Sequence, residues 1–124
     1  MATTDRAAAQ TWRTLMREII DLKGASGATY RFRLWAVGAS HLPMAGNYAF
    51  VREQTGGFAV LAAGAIDDLS HTRSTHGAAA GKAGATHLFT RLNVSRAVRM
   101  AEAMDIAGFY GLDAEPARRG GREA

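Results

Sequence analysis

The sequence predicts a small α+β domain: a sheet that contains an antiparallel hairpin, flanked by helices. Period-two runs at 28–37 and 46–53 alternate apolar with polar or charged side chains, as strands do. A Gly-bearing segment at 54–57 joins the second run to the apolar stretch 58–63, as a hairpin connection would. Helical spacing governs 5–22 and 95–111. With 124 residues, 48% of them apolar, the chain has enough material for one core and no need of a second domain.

Each element has its own signal. Asp5 stands at an N-cap position, and Trp12, Leu15, Met16, Ile19 and Ile20 recur at the spacing of one helix face, so 5–22 reads as a helix stopped by Gly24. In 28–37, Tyr30, Phe32 and Leu34 share one strand face, and Arg31, Arg33 and Trp35 share the other, which is cationic. The loop 38–45 contains Pro43. Past Gly64, Asp67 and Asp68 read as cap and first-turn acids of a short helix that runs towards His76 and ends at Gly77 and Gly81. Thr86 to Leu92 reads as a further strand. Ser95 to Gly111 reads as a longer helix, with Ala97, Met100, Ala101, Met104 and Ala107 as its core-facing stripe. From Ala114 the pattern lapses, and 114–124 reads as a flexible basic tail.

Composition removes several function classes. Without cysteine there is no disulfide framework, thiolate metal site or cysteine nucleophile. Met1 to Gln10 has no apolar leader segment, and no run approaches the ~18 apolar residues of a membrane span, so the chain reads as cytoplasmic with no membrane partner. The formal charge of +4 comes almost entirely from arginine, Lys23 and Lys82 being the exceptions. Arginine suits bidentate contact with phosphate, which makes nucleic acid the partner class to weigh, against an arginine-rich composition that serves no ligand.

Individual residues also have plain structural readings. Tyr48 on a half-buried strand suits a core or interface aromatic. His71 and His76 lie five apart, the wrong spacing for a two-histidine metal site on one helix face. His41 and His87 have no companion in sequence, and the methionines at helical spacing read as core. The glycines from Gly77 to Gly84 surround Lys82 but lack the Gly-Lys-Ser/Thr ending of a phosphate loop.

Taken in order, several segments resemble the GIY-YIG nuclease family. Gly46-Asn47-Tyr48 stands in the place of Gly-Ile-Tyr, and Ala62-Ala63-Gly64 in the place of Tyr-Ile-Gly. Gly64 to Leu69 followed by Arg73 is similar to the family's glycine, aspartate-leucine and helix arginine; His76, Glu102, Tyr110 and Pro116 complete the likeness from about Ala45 to Pro116. The resemblance implies a GIY-YIG-like fold over 28–113, with 1–27 as an added helix and connection. It further implies a nucleic-acid-associated domain, DNA being the expected substrate, with endonuclease chemistry that is weak or lost. Tyr48, Arg73 and His76 take the catalytic places. Glu102 takes that of the ligand to Mg²⁺ or Mn²⁺, which would neutralise charge building on the phosphate. Arg31, Arg33 and Arg99 are the expected nucleic-acid contacts. Two departures bear on activity: Ala62 replaces the second tyrosine, and Arg73 comes one residue late, with Thr72 in the expected place. A non-catalytic domain that binds a protein or nucleic acid on the same scaffold is the alternative.

Overall fold

The computed structural model describes residues 18–112. Ile20 and Leu22 are buried while Ile19, Asp21 and Lys23 face solvent, so this segment follows a strand period rather than a helical one and forms β1 (Ile19–Lys23). The helix expected over 5–22 is therefore corrected at its C-terminal end. Partners decide the outcome: every residue of β1 is in antiparallel register with β2 (Thr29–Leu34), from Ile19 opposite Arg33 to Lys23 opposite Thr29. Trp12, Leu15 and Met16 lie outside the described residues, as does 114–124.

The hairpin is as expected and longer. β3 (Gly46–Gln54) and β4 (Gly57–Ile66) are joined by Thr55 and Gly56, and Gly56 takes the positive φ of 82° that the tight turn requires. The register shifts between Phe50 and Val51, so Leu61 of β4 is an unpaired bulge residue. β5 (His87–Leu92) inserts between β2 and β3, which completes a five-stranded antiparallel sheet of order β1-β2-β5-β3-β4. The α+β class read from sequence is the class observed.

One helix covers part of each face. A 3₁₀ turn (Leu69–His71) leads into α1 (Thr72–Lys82). This helix runs through Gly77 and Gly81 rather than ending there; only Gly84, at φ 103°, takes the left-handed conformation that breaks the run. Leu69 and Ala80 pack with Trp35, Tyr48, Phe50 and Leu88. On the other face, α2 (Arg96–Tyr110) is capped by the Ser95 hydroxyl, which accepts from the Val98 amide, and by Gly111 in αL. Ile106 of α2 packs with Ile20, Leu22, Phe32, Ala49, Val51, Ala63 and Phe89.

The buried face of α2 is not the expected stripe. Arg99, Ala103 and Ile106 point inward, whereas Ala97 and Ala101 are exposed and Met104 is 67% exposed. Reading for apolar side chains misplaced the face because its first buried member is an arginine.

Candidate functional site

Strand parity divides the expected site residues between the two faces. Tyr48 lies opposite Gly64 on β4 and Thr90 on β5, and these side chains belong to the α1 face. Asn47, one residue earlier, lies opposite Ala65 and Arg91 and belongs to the α2 face.

On the α1 face, Tyr48 is 3% exposed and its ring stacks on His76, with centroids 4.8 Å apart and planes at 23°. Its hydroxyl lies over Gly64, where a Cβ would stand 2.5 Å from the phenolic oxygen. Thus Gly64 is needed for the space that Tyr48 occupies. The one-residue offset does not turn Arg73 away from the sheet. Thr72 is buried, with its hydroxyl donating to the Leu69 carbonyl, and the Arg73 guanidinium reaches the Trp35 ring at 4.6 Å while donating to the Trp35 carbonyl at 2.6 Å. Trp35 in turn packs on His41, centroid to centroid 4.8 Å, and His41 Nε2 is 2.7 Å from the buried Thr90 hydroxyl. Tyr48, His76, Arg73, Trp35, His41 and Thr90 therefore form one connected cluster. His41, which has no companion in sequence, gains its hydrogen-bond partner Thr90 from a strand 49 residues away.

Beyond this cluster, no helix among the described residues covers the same face over β1 and β2, where Arg31 and Arg33 are exposed and alternate with inward Tyr30, Phe32 and Leu34, as the sequence pattern predicts. Arg31 is paired with Asp21 across the strands at 3.2 Å, and both side chains remain well exposed. Arg33 has no carboxylate partner among the described residues. Arg31, Arg33 and Trp35 succeed one another along one face of the chain, and Arg73 seated on Trp35 extends the cationic row to three.

The α2 face holds the remaining two. Glu102 accepts from Arg91 Nε and from Asn93 Nδ2, each at 2.9 Å, and Asn93 also donates to Asn47 Oδ1 at 2.9 Å. The Asn47 amide donates to the Arg99 carbonyl at 2.8 Å, tying β3 to α2. Arg99, expected as a nucleic-acid contact, is 5% exposed, and it donates to Asp67 at 2.6 Å and to the Val94 carbonyl at 2.9 Å. A guanidinium committed in this way is a structural strut, and the expectation is corrected. Asp67 is likewise corrected: it pairs with Arg99 and Arg96, while Asp68 alone caps the 3₁₀ turn. The Ser70 hydroxyl and amide hold the Asp68 carboxyl below its ordinary pKa.

Glu102 and the Tyr48 cluster thus stand on opposite sides of the sheet, and the residues expected to bind Mg²⁺ or Mn²⁺ and phosphate together do not converge. Among the described residues, no three His, Asp or Glu side chains come together to hold a metal. Glu102, the carboxylate expected at the ion, accepts instead from Arg91 and Asn93. Sequence reasoning missed His41, Thr90 and Asn93, whose roles depend on cross-strand register, and it missed Asn47 as a buried polar anchor; a polar side chain in an otherwise apolar strand is the signal that could have revealed it. No family model, curated protein or solved structure matches the chain.

Proposed function

We propose that this chain binds nucleic acid through its phosphate backbone, on a GIY-YIG-like scaffold whose metal-dependent cleavage is lost or very weak. The observation that supports this reading most is the row of Arg31, Arg33 and Arg73 along one sheet face, beside the aromatic Trp35, with Arg31 and Arg33 exposed. Cations held by strands a fixed distance apart suit a ligand of regularly spaced phosphates, and each ion pair formed with phosphate releases condensed counterions. On the opposite face, Glu102 acts as a structural acceptor for Arg91 and Asn93. Tyr48 is packed rather than presented to solvent. Both features favour binding over catalysis on this scaffold.

The test is binding of fluorescein-labelled single-stranded and duplex DNA and RNA to the wild type and to Arg31→Ala/Arg33→Ala. The reading expects binding by the wild type and a marked loss in the variant with folding intact. Equal binding by both proteins would overturn it. A protein partner is the second reading, favoured by the exposure of Val98, Met104 and Phe109 on α2. Absence of nucleic-acid binding together with a folded wild type would leave that reading in place.

A further inference from the structure

Between α1 and the sheet lies a cavity of about 370 Å³, bounded by Trp35, Phe50, Leu88, Arg73, Gly77 and Gly81. Two glycines of α1, one turn apart, line it. A Cβ at Gly81 would meet nothing within 4 Å, and one at Gly77 would meet only Arg73 Cβ, at 3.9 Å. Glycine inside a helix lowers its stability, and neither position has the positive φ that would call for glycine. The walls at Trp35, Phe50 and Leu88 are apolar and aromatic, and all three are buried. Thr86, His87 and Arg73 are its polar lining; among the described residues Arg73 makes one protein hydrogen bond, to the Trp35 carbonyl, out of the five donors of a guanidinium.

Resting on the nucleic-acid reading above, we propose that this cavity receives one unstacked nucleobase of a single strand whose phosphates lie along Arg31 and Arg33. The volume, at the small end of the range of about 300–1,000 Å³ for ligand pockets, has room for one base. A planar ring entering it meets the Arg73 guanidinium, itself already seated on the Trp35 indole at 4.6 Å, and the remaining Arg73 donors face acceptors that every base carries on its edge. Continuity with the cationic row matters: Trp35 follows Arg33 by two residues on the same face, so a strand tracking the arginines arrives at the cavity mouth. The site discriminates by strand state, because a paired base is not available to enter.

The experiment compares affinity for oligo(dT) and for an abasic strand of equal length and phosphate count, using wild type, Gly81→Leu and Gly77→Leu. Either leucine adds bulk at a residue that lines the cavity, from a helix position free of backbone strain, and the thermal midpoint of each variant verifies folding. Wild type is expected to prefer oligo(dT) about tenfold, the size of one base stacked on a planar side chain. Gly81→Leu is expected to bind both strands equally, with the wild-type affinity for the abasic strand. A preference that survives in both folded leucine variants, or a wild type that binds the two strands equally, would overturn the pocket while leaving the arginine face standing. If wild type binds neither strand, the nucleic-acid reading fails and this inference fails with it.

Discussion

Asn47 and Tyr48 are neighbours on β3 and belong to different networks on opposite sides of the sheet. The Asn47 amide donates to the Arg99 carbonyl of α2 at 2.8 Å, while the Tyr48 ring stacks on His76 of α1 at 4.8 Å. Because strand side chains alternate, no adjustment of rotamers places both on one surface. Glu102, the metal ligand that the resemblance implies, is consequently separated by the thickness of the sheet from Tyr48, Arg73 and His76, which share the α1 face.

Glu102→Ala is therefore expected to act on stability. It removes the acceptor of Arg91 Nε and one of the two acceptors of Asn93 Nδ2 in a half-buried setting, which costs about 1–3 kcal/mol. Urea unfolding should show that loss, and nucleic-acid affinity should stay within error of wild type. Added Mg²⁺ or Mn²⁺ should not produce rapid cleavage by either protein. Fast, metal-dependent cleavage abolished by Glu102→Ala would restore the carboxylate to a catalytic site.

The Asp67–Arg99 pair is expected to respond asymmetrically. Arg99→Met keeps most of the buried stem and returns an exposed Asp67 to water, whereas Asp67→Ala strands a guanidinium whose side chain is only 7% exposed. Removing one partner of a fully buried pair costs roughly 3–5 kcal/mol, and Asp67 at 78% side-chain exposure places its loss at or below the lower end. Chemical denaturation should rank Asp67→Ala as the more damaging substitution; the reverse order would contradict the strut assigned to Arg99.

Three glycines should rank by what a methyl group meets. At Gly46 a Cβ would overlap the Arg91 carbonyl, which belongs to the backbone of β5 and cannot move without breaking the sheet register. At Gly64 it meets the Tyr48 phenol at 2.5 Å, a side chain that shifts at a cost of about 1–3 kcal/mol. At Gly81 it meets open space inside a helix, so alanine stabilises by up to about 1 kcal/mol. Thermal midpoints should fall most for Gly46→Ala, less for Gly64→Ala, and rise for Gly81→Ala.

Much of this fold was legible in local pattern, and much of the site was not. Alternation through Tyr30–Leu34 and the Gly56 turn announced β2 and the β3–β4 hairpin because both depend on nearest neighbours. Ile19 to Lys23 misled because Ile19 and Ile20 complete a helical stripe with Trp12, Leu15 and Met16, and only pairing with β2 selects the strand period. Arg99 misled because its charge conceals a buried stem. His41 and Thr90 were illegible as a pair, since β3, β4 and α1 lie between them in the chain. The exposed arginines of β2, by contrast, were readable from the alternation at Arg31 and Arg33 alone.

Asp105 anchors the turn after β1, and its titration should be visible in stability. Its carboxylate accepts from the Ser26 hydroxyl at 2.7 Å, the Ser26 amide at 2.9 Å and the Tyr30 hydroxyl at 2.7 Å. The Ser26 hydroxyl bond, then the Tyr30 bond, hold its pKa below the ordinary value, and the same Tyr30 bond raises the pKa of the phenol. A depressed carboxyl binds fewer protons when folded than when unfolded. Its stabilisation is complete above the unfolded carboxyl pKa of about 4 and is lost as pH falls through the lower folded value. Asp105→Asn should flatten the acid limb of the stability profile; an unchanged limb would show that these bonds contribute nothing to it.

The central claim, phosphate binding by the arginine row, is tested most directly by the salt dependence of affinity. Titrating wild type, Arg31→Ala and Arg31→Ala/Arg33→Ala with duplex and single-stranded DNA across a series of NaCl concentrations gives the slope of log K against log salt. Removing one arginine–phosphate pair should flatten that slope by about 0.9 for a duplex and about 0.7 for a single strand, so the double variant should change by roughly twice as much as the single variant. Identical slopes for all three proteins, or binding indifferent to salt, would contradict the assignment of this face to nucleic acid.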